Sequence, residues 1–397
     1  MAADPVPDRF FTSLSPLSHE LAAHYEELRS IRSRRDLVRS PLHQQIQPEL
    51  HRVLNGVERG VHASPRLPAH RDRLRVVAWN IQRGRQLPEL IRALREEPTL
   101  SAADVVLLSE VDNGMGRSAN RNIARELGAA LGMHYAFAVS YLVLGDDFLE
   151  NPEGTPNTLA LAGAAVLSRW PLGRVVNVNL PELRDKFSSR REKRLGNKRA
   201  LLAEVLLPEG PLWCAGCHLD SNASPAQRAR QLEALLQKLA ELGIERALLG
   251  GDWNTTTYDA SGPLPLLRDL VHKLLVTGFV ATVNGYMTPE QQYEQPLFAV
   301  LRRHGFSVDG YNDRARGTYN YDVMSPYAVA KLHSKVGRLL TRWLQRRLRP
   351  WQGIVPARLD WFAGRGITPI ANAVVETRDA EGVPLSDHAA ISVDVAR

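Results

Sequence analysis

The sequence predicts an α/β sandwich with mixed sheets, and two observations carry that expectation. From residue 73 onward short apolar runs alternate with helical segments, and the connections between runs include both helices and short turns. One run, Asp104-Val-Val-Leu-Leu-Ser-Glu110, is apolar without alternation, the pattern of a strand covered on both faces.

The elements follow in chain order. Residues 1–70 read as a helical N-terminal extension, too small for a good core of its own. Leu17, Leu21, Tyr25, Leu28 and Ile31 recur at helical spacing after Ser15 and Ser18, either of which can cap the helix. Pro41 is expected to end that helix, with a second from about 43 to 55 and a Pro- and His-bearing connector over 61–71. Strands are expected at 74–80, 104–110, 162–168, 200–207, 212–217, from Ala247, from Val374 and at 389–395. Helices are expected at 87–95, 120–131 and 225–242, the last with Leu232, Leu235, Leu236 and Leu239 on one face. No internal repeat or low-complexity tract is present.

Composition narrows the class. The chain has 397 residues, 50 Lys+Arg against 43 Asp+Glu, a formal charge of +7 and an ordinary 44% of apolar residues. No run of about 18 apolar residues occurs, so no transmembrane helix is expected. The N-terminus lacks a basic and then apolar leader, so no signal peptide is expected and a cytoplasmic location follows. Cys214 and Cys217 are the two cysteines; they resemble a CxxC pair, but in a strand they point to opposite faces and read as core. Charge is concentrated in two segments. Residues 183–199 hold eight basic and two acidic side chains, and residues 331–358 hold eight basic and no acidic ones. Such segments suit a polyanion, either nucleic acid, an anionic membrane or a phosphorylated substrate, or else are solvated faces.

Six polar clusters sit at or near strand ends. They are Asn80, Glu110, Cys217-His218-Leu219-Asp220, Gly250-Gly-Asp252-Trp-Asn254, Arg358-Leu-Asp360-Trp-Phe and Ser386-Asp387-His388. A polar group buried at a strand end needs a partner or a ligand. Asp, Glu and Asn converging on one sheet edge form an oxygen-rich site, which favours Mg²⁺ or Mn²⁺ over Zn²⁺.

This ordered set, with Gly163-Ala-Ala-Val-Leu-Ser-Arg169 between its members, resembles the endonuclease/exonuclease/phosphatase superfamily over roughly 73–397. That group includes deoxyribonuclease, abasic-site endonucleases, neutral sphingomyelinases and inositol polyphosphate 5-phosphatases. The resemblance implies a four-layered sandwich, two packed mostly antiparallel or mixed sheets flanked by helices. It implies a divalent-metal-dependent hydrolase of phosphate esters, more specifically a phosphodiesterase using in-line attack of water. Glu110 and Asn80 would hold the metal, and Asp387 resembles the position of a second ion. Asp252 would orient or deprotonate the water, with Asn254 holding phosphate or fixing Asp252. His388, oriented by Asp360, would act on the phosphate, and His218 would be a candidate acid for the leaving oxygen. Arg199 matches a basic position that can touch phosphate, while Arg228 and Gln231 match a structural Arg-x-x-Gln pattern.

Nucleic acid is the favoured substrate, with a phospholipid or phosphoinositide at a membrane surface close behind. A catalytically silent binding protein on the same fold is the rival from another class. Two departures from the pattern stand out. The phosphate-touching residue expected before the Gly163 strand has three candidates, Tyr135, Tyr141 and Asn157, and small residues replace the polar neighbour usual at Gly163. The Asp252 to Asp360 stretch is also long, with insertions near 259–290 and 323–357. Within the second, an apolar stripe (Leu332 to Leu348) beside a basic stripe (Lys331 to Arg349) predicts a basic amphipathic helix over 331–350, a candidate for peripheral membrane contact.

Overall fold

The computed structural model describes residues 12–13, 16–61, 72–145, 151, 153–188, 192–255, 268, 278–322, 324, 326–351 and 353–397. Ser15, most of the 61–71 connector, most of the first insertion and the side chains of Lys331, Leu332, Lys335, Val336 and Leu340 lie outside the described residues.

Sixteen strands are described. They are β1 (Thr12–Ser13), β2 (Val57–Gly60), β3 (Arg73–Arg83), β4 (Val105–Asn113), β5 (His134–Val143), β6 (Leu161–Ser168), β7 (Leu172–Asn179) and β8 (Arg194–Gly196). The chain continues with β9 (Arg199–Val205), β10 (Leu212–Cys217), β11 (Ala247–Asp252), β12 (Tyr319–Asp322), β13 (Ile354–Ala357), β14 (Asp360–Arg365), β15 (Pro369–Val375) and β16 (Ala390–Ala396). The larger sheet runs β1-β2-β5-β6-β4-β3-β16-β15, with β8 added on β5; the smaller runs β14-β11-β10-β9-β7. Both are mixed: β3 and β4 are parallel, as are β10 and β11, while their other neighbours are antiparallel.

Period-2 alternation explains the layers. Val76 and Ala78 of β3 face the smaller sheet, in a shared core with Leu107, Leu201, Ala203, Cys214, Leu248 and Phe362. Val77 and Trp79, pointing the other way, pack on the helices Leu87–Glu96 and Ile123–Leu131. The outer face of the smaller sheet carries Ala215, Cys217 and Leu249 against the helices Pro225–Glu241 and Gln295–Arg303. The result is helix, sheet, sheet, helix. Cys214 and Cys217 fall on opposite faces as expected; both are free and buried, and burial pushes each thiol up to about 12.

Several elements depart from the sequence expectation. Pro41 does not end a helix: it is the first residue of Pro41–Leu54, capped by Ser40, whose Oγ accepts from the His43 N–H at 3.1 Å. A first-turn proline forgoes only a donor that would lack a helical partner anyway. The 17–31 stripe forms two short turns of helix, Leu21–His24 and Tyr25–Ser30. Strands β5 and β7 have no counterpart in the sequence expectation.

Residues 16–60 also include a strand, β2, which joins the larger sheet antiparallel to β5. Its Glu58 is fully buried, accepting from the Leu17 N–H at 2.8 Å, Asn122 Nδ2 at 2.7 Å and the Tyr135 hydroxyl at 2.8 Å. Glu58→Ala would strand three donors, and we expect a loss of roughly 3 kcal/mol, read by urea denaturation.

Candidate active site

The two sheets bring the polar strand ends to one edge. Bulges set their aim. The β3–β4 register shifts between Asn80 and Arg83, and the β4–β6 register shifts around Glu110. Glu110 has φ +55°, a left-handed backbone that costs a non-glycine residue about 1–3 kcal/mol and recurs at functional sites. On the other sheet Gly251 has φ +136°, and a Cβ there would lie 2.4 Å from the Cys217 carbonyl oxygen. Only glycine lets β11 run against β10 and still deliver Asp252 at its end.

Asp252 is the hub. Its Oδ2 accepts from Asn80 Nδ2 at 3.0 Å and lies 3.4 Å from His218 Nε2 and 3.7 Å from His388 Nε2. Its Oδ1 accepts from the Asn254 N–H at 2.9 Å. Asn254, with φ +50°, donates its own amide to the Leu219 carbonyl at 3.0 Å, so its side chain braces the loop after β10. His388 Nδ1 is 2.8 Å from Asp360 Oδ2, and Asp360 Oδ1 is buried with no hydrogen-bond partner among the described residues. Thr318 Oγ1 accepts from the Leu359 and Asp360 N–H groups, both at 3.0 Å, which fixes the start of β14. Ser386 Oγ donates to the Asn80 carbonyl at 2.6 Å and accepts from the His388 N–H at 3.1 Å, pinning the Ser-Asp-His turn onto the end of β3.

The electrostatics are set by burial and neighbouring charge. Burial, reinforced by Asp360, raises Asp252 to about 6 despite the opposing pull of His388 and Lys198. Burial would lower His388, but Asp360 and Asp252 outweigh it and raise the imidazole to about 10. Between about pH 6 and 10 the pair is therefore carboxylate and imidazolium. His218 goes the other way: burial and the nearby Lys198 hold it well below its ordinary value. It is neutral at pH 7, and a pre-protonated acid at this position is not what its surroundings favour.

Asp252, Asp360 and His388 offer ligand atoms within 4.8 Å of one another. An imidazolium protonated on both nitrogens has no lone pair for a metal, so this trio acts as an ion-pair relay. The metal-type donors lie beside it. Asn80 and the bulge carrying Glu110 end neighbouring parallel strands, and with Asp252 they present only oxygen ligands, the donor set of a hard divalent cation. Glu110 is paired with Arg83. Asp387 is exposed and turned toward Ser386 Oγ at 3.4 Å, outside the buried cluster.

Of the three candidates before β6, Tyr141 lines the cleft beside this cluster. Tyr135 points into the opposite layer, donating to Glu58, and Asn157 is bonded to the Gly116 N–H at 2.8 Å. Arg199 begins β9 at the same cleft. Arg228 is fully buried with Glu294, and Gln231 bonds the Asp220 N–H at 3.0 Å, so both hold structure. Sequence reasoning missed Arg83, Thr318 and Lys198. Lys198 adjoins Arg199 and could have been flagged by its place in the basic segment; the other two carried no signal.

The expected basic helix is present but broken. Pro326–Arg347 is interrupted at Gly337, whose φ of +79° and ψ of 165° are not helical. Beyond the break, Trp343 packs edge-on against Phe279 with ring centroids 5.8 Å apart, and Leu348 is buried with Val283. Arg338, Arg342, Arg346 and Arg347 are exposed, as is Leu339. No helix among the described residues is long and apolar enough to cross a membrane.

The model of the endonuclease/exonuclease/phosphatase family matches residues 77–388. A search of curated proteins found no match. Among solved structures, an endonuclease/exonuclease/phosphatase from Beutenbergia cavernae is similar at 18% identity, over 82% of this chain and 72% of that one, with a TM-score of 0.49. The D. rerio TDP2 structure complexed with single-strand DNA product is similar at 15% identity, over 82% and 99% of the two chains, with a TM-score of 0.45. The 3′ phosphatase NExo from Neisseria, bound to product DNA hairpin, is similar at 16% identity, over 81% and 98%, with a TM-score of 0.44.

Proposed function

The chain belongs to the endonuclease/exonuclease/phosphatase family and is a hydrolase of phosphate esters, and on that premise we propose a Mg²⁺- or Mn²⁺-dependent phosphodiesterase whose favoured substrate is nucleic acid. The observation that carries this reading is the convergence on Asp252 of Asn80, His218 and the Asp360–His388 relay. A surface carboxylate would have no use for four such partners.

Each side chain has a part. Asn80 donates to one oxygen of Asp252 and the Asn254 N–H to the other, so the carboxylate is held in one orientation. So held, it accepts a hydrogen bond, and then the proton, from a water aligned with the phosphorus. His388 carries its charge on a ring fixed by Asp360, and its Nε2–H faces the position of a phosphoryl oxygen, stabilising the charge that develops there. His218, neutral, serves as a hydrogen-bond partner at the leaving side. Asn80 and Glu110 would hold the divalent ion, which when bound offsets phosphate charge and stabilises the leaving oxygen.

Nucleic acid is preferred to lipid on a specific observation. The helix that suggested a bilayer contact is broken at Gly337, and Trp343 and Leu348 are packed against the body. What stays exposed beside Leu339 is arginine, which suits a phosphate backbone. The test is Mg²⁺-dependent turnover of plasmid DNA, single-stranded RNA, sphingomyelin and phosphoinositide vesicles and a chromogenic phosphodiester, with Glu110→Gln as control. Turnover of DNA or RNA, lost in the variant, is expected. Turnover confined to vesicles would overturn the substrate assignment, and turnover retained by Glu110→Gln would overturn the mechanism.

A further inference from the structure

The basic segment 183–199 has a use that hydrolysis alone does not explain. Lys186, Arg194, Lys198 and Arg199 line one cavity of about 150 Å³, whose wall also includes His218 and Glu110. With Arg83 and Arg117, six basic side chains face it against three acidic ones, Glu110, Glu192 and Asp220. The frame is organised. Glu192 is 3.0 Å from Arg117 and 2.7 Å from Arg194, and Lys186 is 3.0 Å from Asp220. The Arg194 guanidinium lies over the Tyr141 ring, 4.6 Å from its centroid. Lys198 has no hydrogen bond or ion pair to its ammonium among the described residues. Burial lowers it to about 7, against the attraction of Asp220 and Asp252.

An excess of cations in a recess is costly without an anion. The size of the recess limits that anion. At about 150 Å³ it is smaller than the roughly 300–1,000 Å³ of drug-sized sites, so it suits a phosphate group and is too small for a base or an acyl chain. The small residues Ala162, Gly163 and Ala164 form part of its lining, which is where the chain departs from the polar pattern of its relatives. The departure makes room.

We propose that this cavity is a second phosphate subsite, binding a phosphate group that the substrate carries next to the ester being cleaved. The inference rests on the phosphoesterase reading above and narrows it to substrates with two phosphates close together. A phosphorylated nucleotide end and a polyphosphorylated inositol headgroup share that chemistry.

Two matched pairs separate these sources and test the subsite. One is thymidine 5′-(p-nitrophenyl phosphate) with and without a 3′-phosphate; the other is glycerophosphoinositol with and without a ring phosphate. The wild-type chain is expected to prefer the phosphorylated member of one pair by about tenfold or more in kcat/KM, the scale of one charge-assisted hydrogen bond. Lys198→Met and Arg194→Met, checked for folding by circular dichroism, should lower that preference ratio about tenfold, mainly through KM. Glu110→Gln should depress both members alike and leave the ratio intact. A wild-type ratio near one in both pairs, or a ratio the two variants retain, would overturn the subsite while leaving the phosphoesterase reading standing. If no ester turns over, the phosphoesterase reading fails, and calorimetric titration with pyrophosphate decides the subsite. Binding weakened about tenfold in Lys198→Met supports it, and equal binding overturns it.

Discussion

Asp252→Asn should lower turnover by about 10³–10⁴-fold while the chain stays folded, because the amide cannot accept the proton of the attacking water. The buried carboxylate is itself a burden on the fold, as its raised pKa of about 6 records. Removing the charge relieves that burden and also removes a partner of His388, so the thermal midpoint should move little. The sign of the pH dependence follows from the same pair. Asp252 must be ionised to work, so wild-type activity should fall as pH drops through about 6. The stabilising contribution of His388 is fully present below its ordinary value of 6.5 and is lost as pH rises through about 10, giving the opposite limb. A pH profile of kcat with one substrate reads both. Activity undiminished at pH 5, or Asp252→Asn turning over within tenfold of wild type, would remove Asp252 from the chemistry.

The largest effect on stability is expected at Arg228, some way from the reacting atoms. Its guanidinium is fully buried against Glu294, with Nε 3.1 Å from Oε1, and it donates to the Ala223 carbonyl at 2.7 Å. Arg228→Met leaves Glu294 charged and enclosed, which should cost about 3–5 kcal/mol. Arg228→Met with Glu294→Leu removes both charges and should recover most of that loss. Urea midpoints of the two variants check it, and a double variant as unstable as the single one would refute the charge argument. The pair also ties the helix Pro225–Glu241 to the loop that presents Asp220, so activity on phosphorylated esters should soften together with stability.

Much of this protein is written locally. The continuous run of β4, the Leu232-Leu235-Leu236-Leu239 stripe and the Gly250-Gly251 pair each declare an element through periodicity or backbone freedom, because those depend on residues a few positions apart. The six polar clusters were legible for the same reason: a carboxylate ending an apolar strand is anomalous wherever the strand lies. Strand β5 was not legible, since its aromatic and polar residues show neither alternation nor a uniform apolar run, and it is placed by β6 on one side and β2 on the other.

What only the tertiary structure decided is which charges meet. Asp252 and Asn80 are 172 positions apart, and their 3.0 Å hydrogen bond exists because two sheets stack with their strand ends aligned. The basic segment 183–199 is indistinguishable in sequence from a solvated face; β8 folds it onto β5, and that pairing turns four of its cations inward onto one cavity. The second basic segment has a similar composition yet is interrupted at Gly337 and leaves its described arginines largely in water. Composition sets how much charge a segment carries. Whether that charge faces solvent or a substrate depends on contacts far away in the chain, which is why the family was visible in the sequence and the shape of its cleft was not.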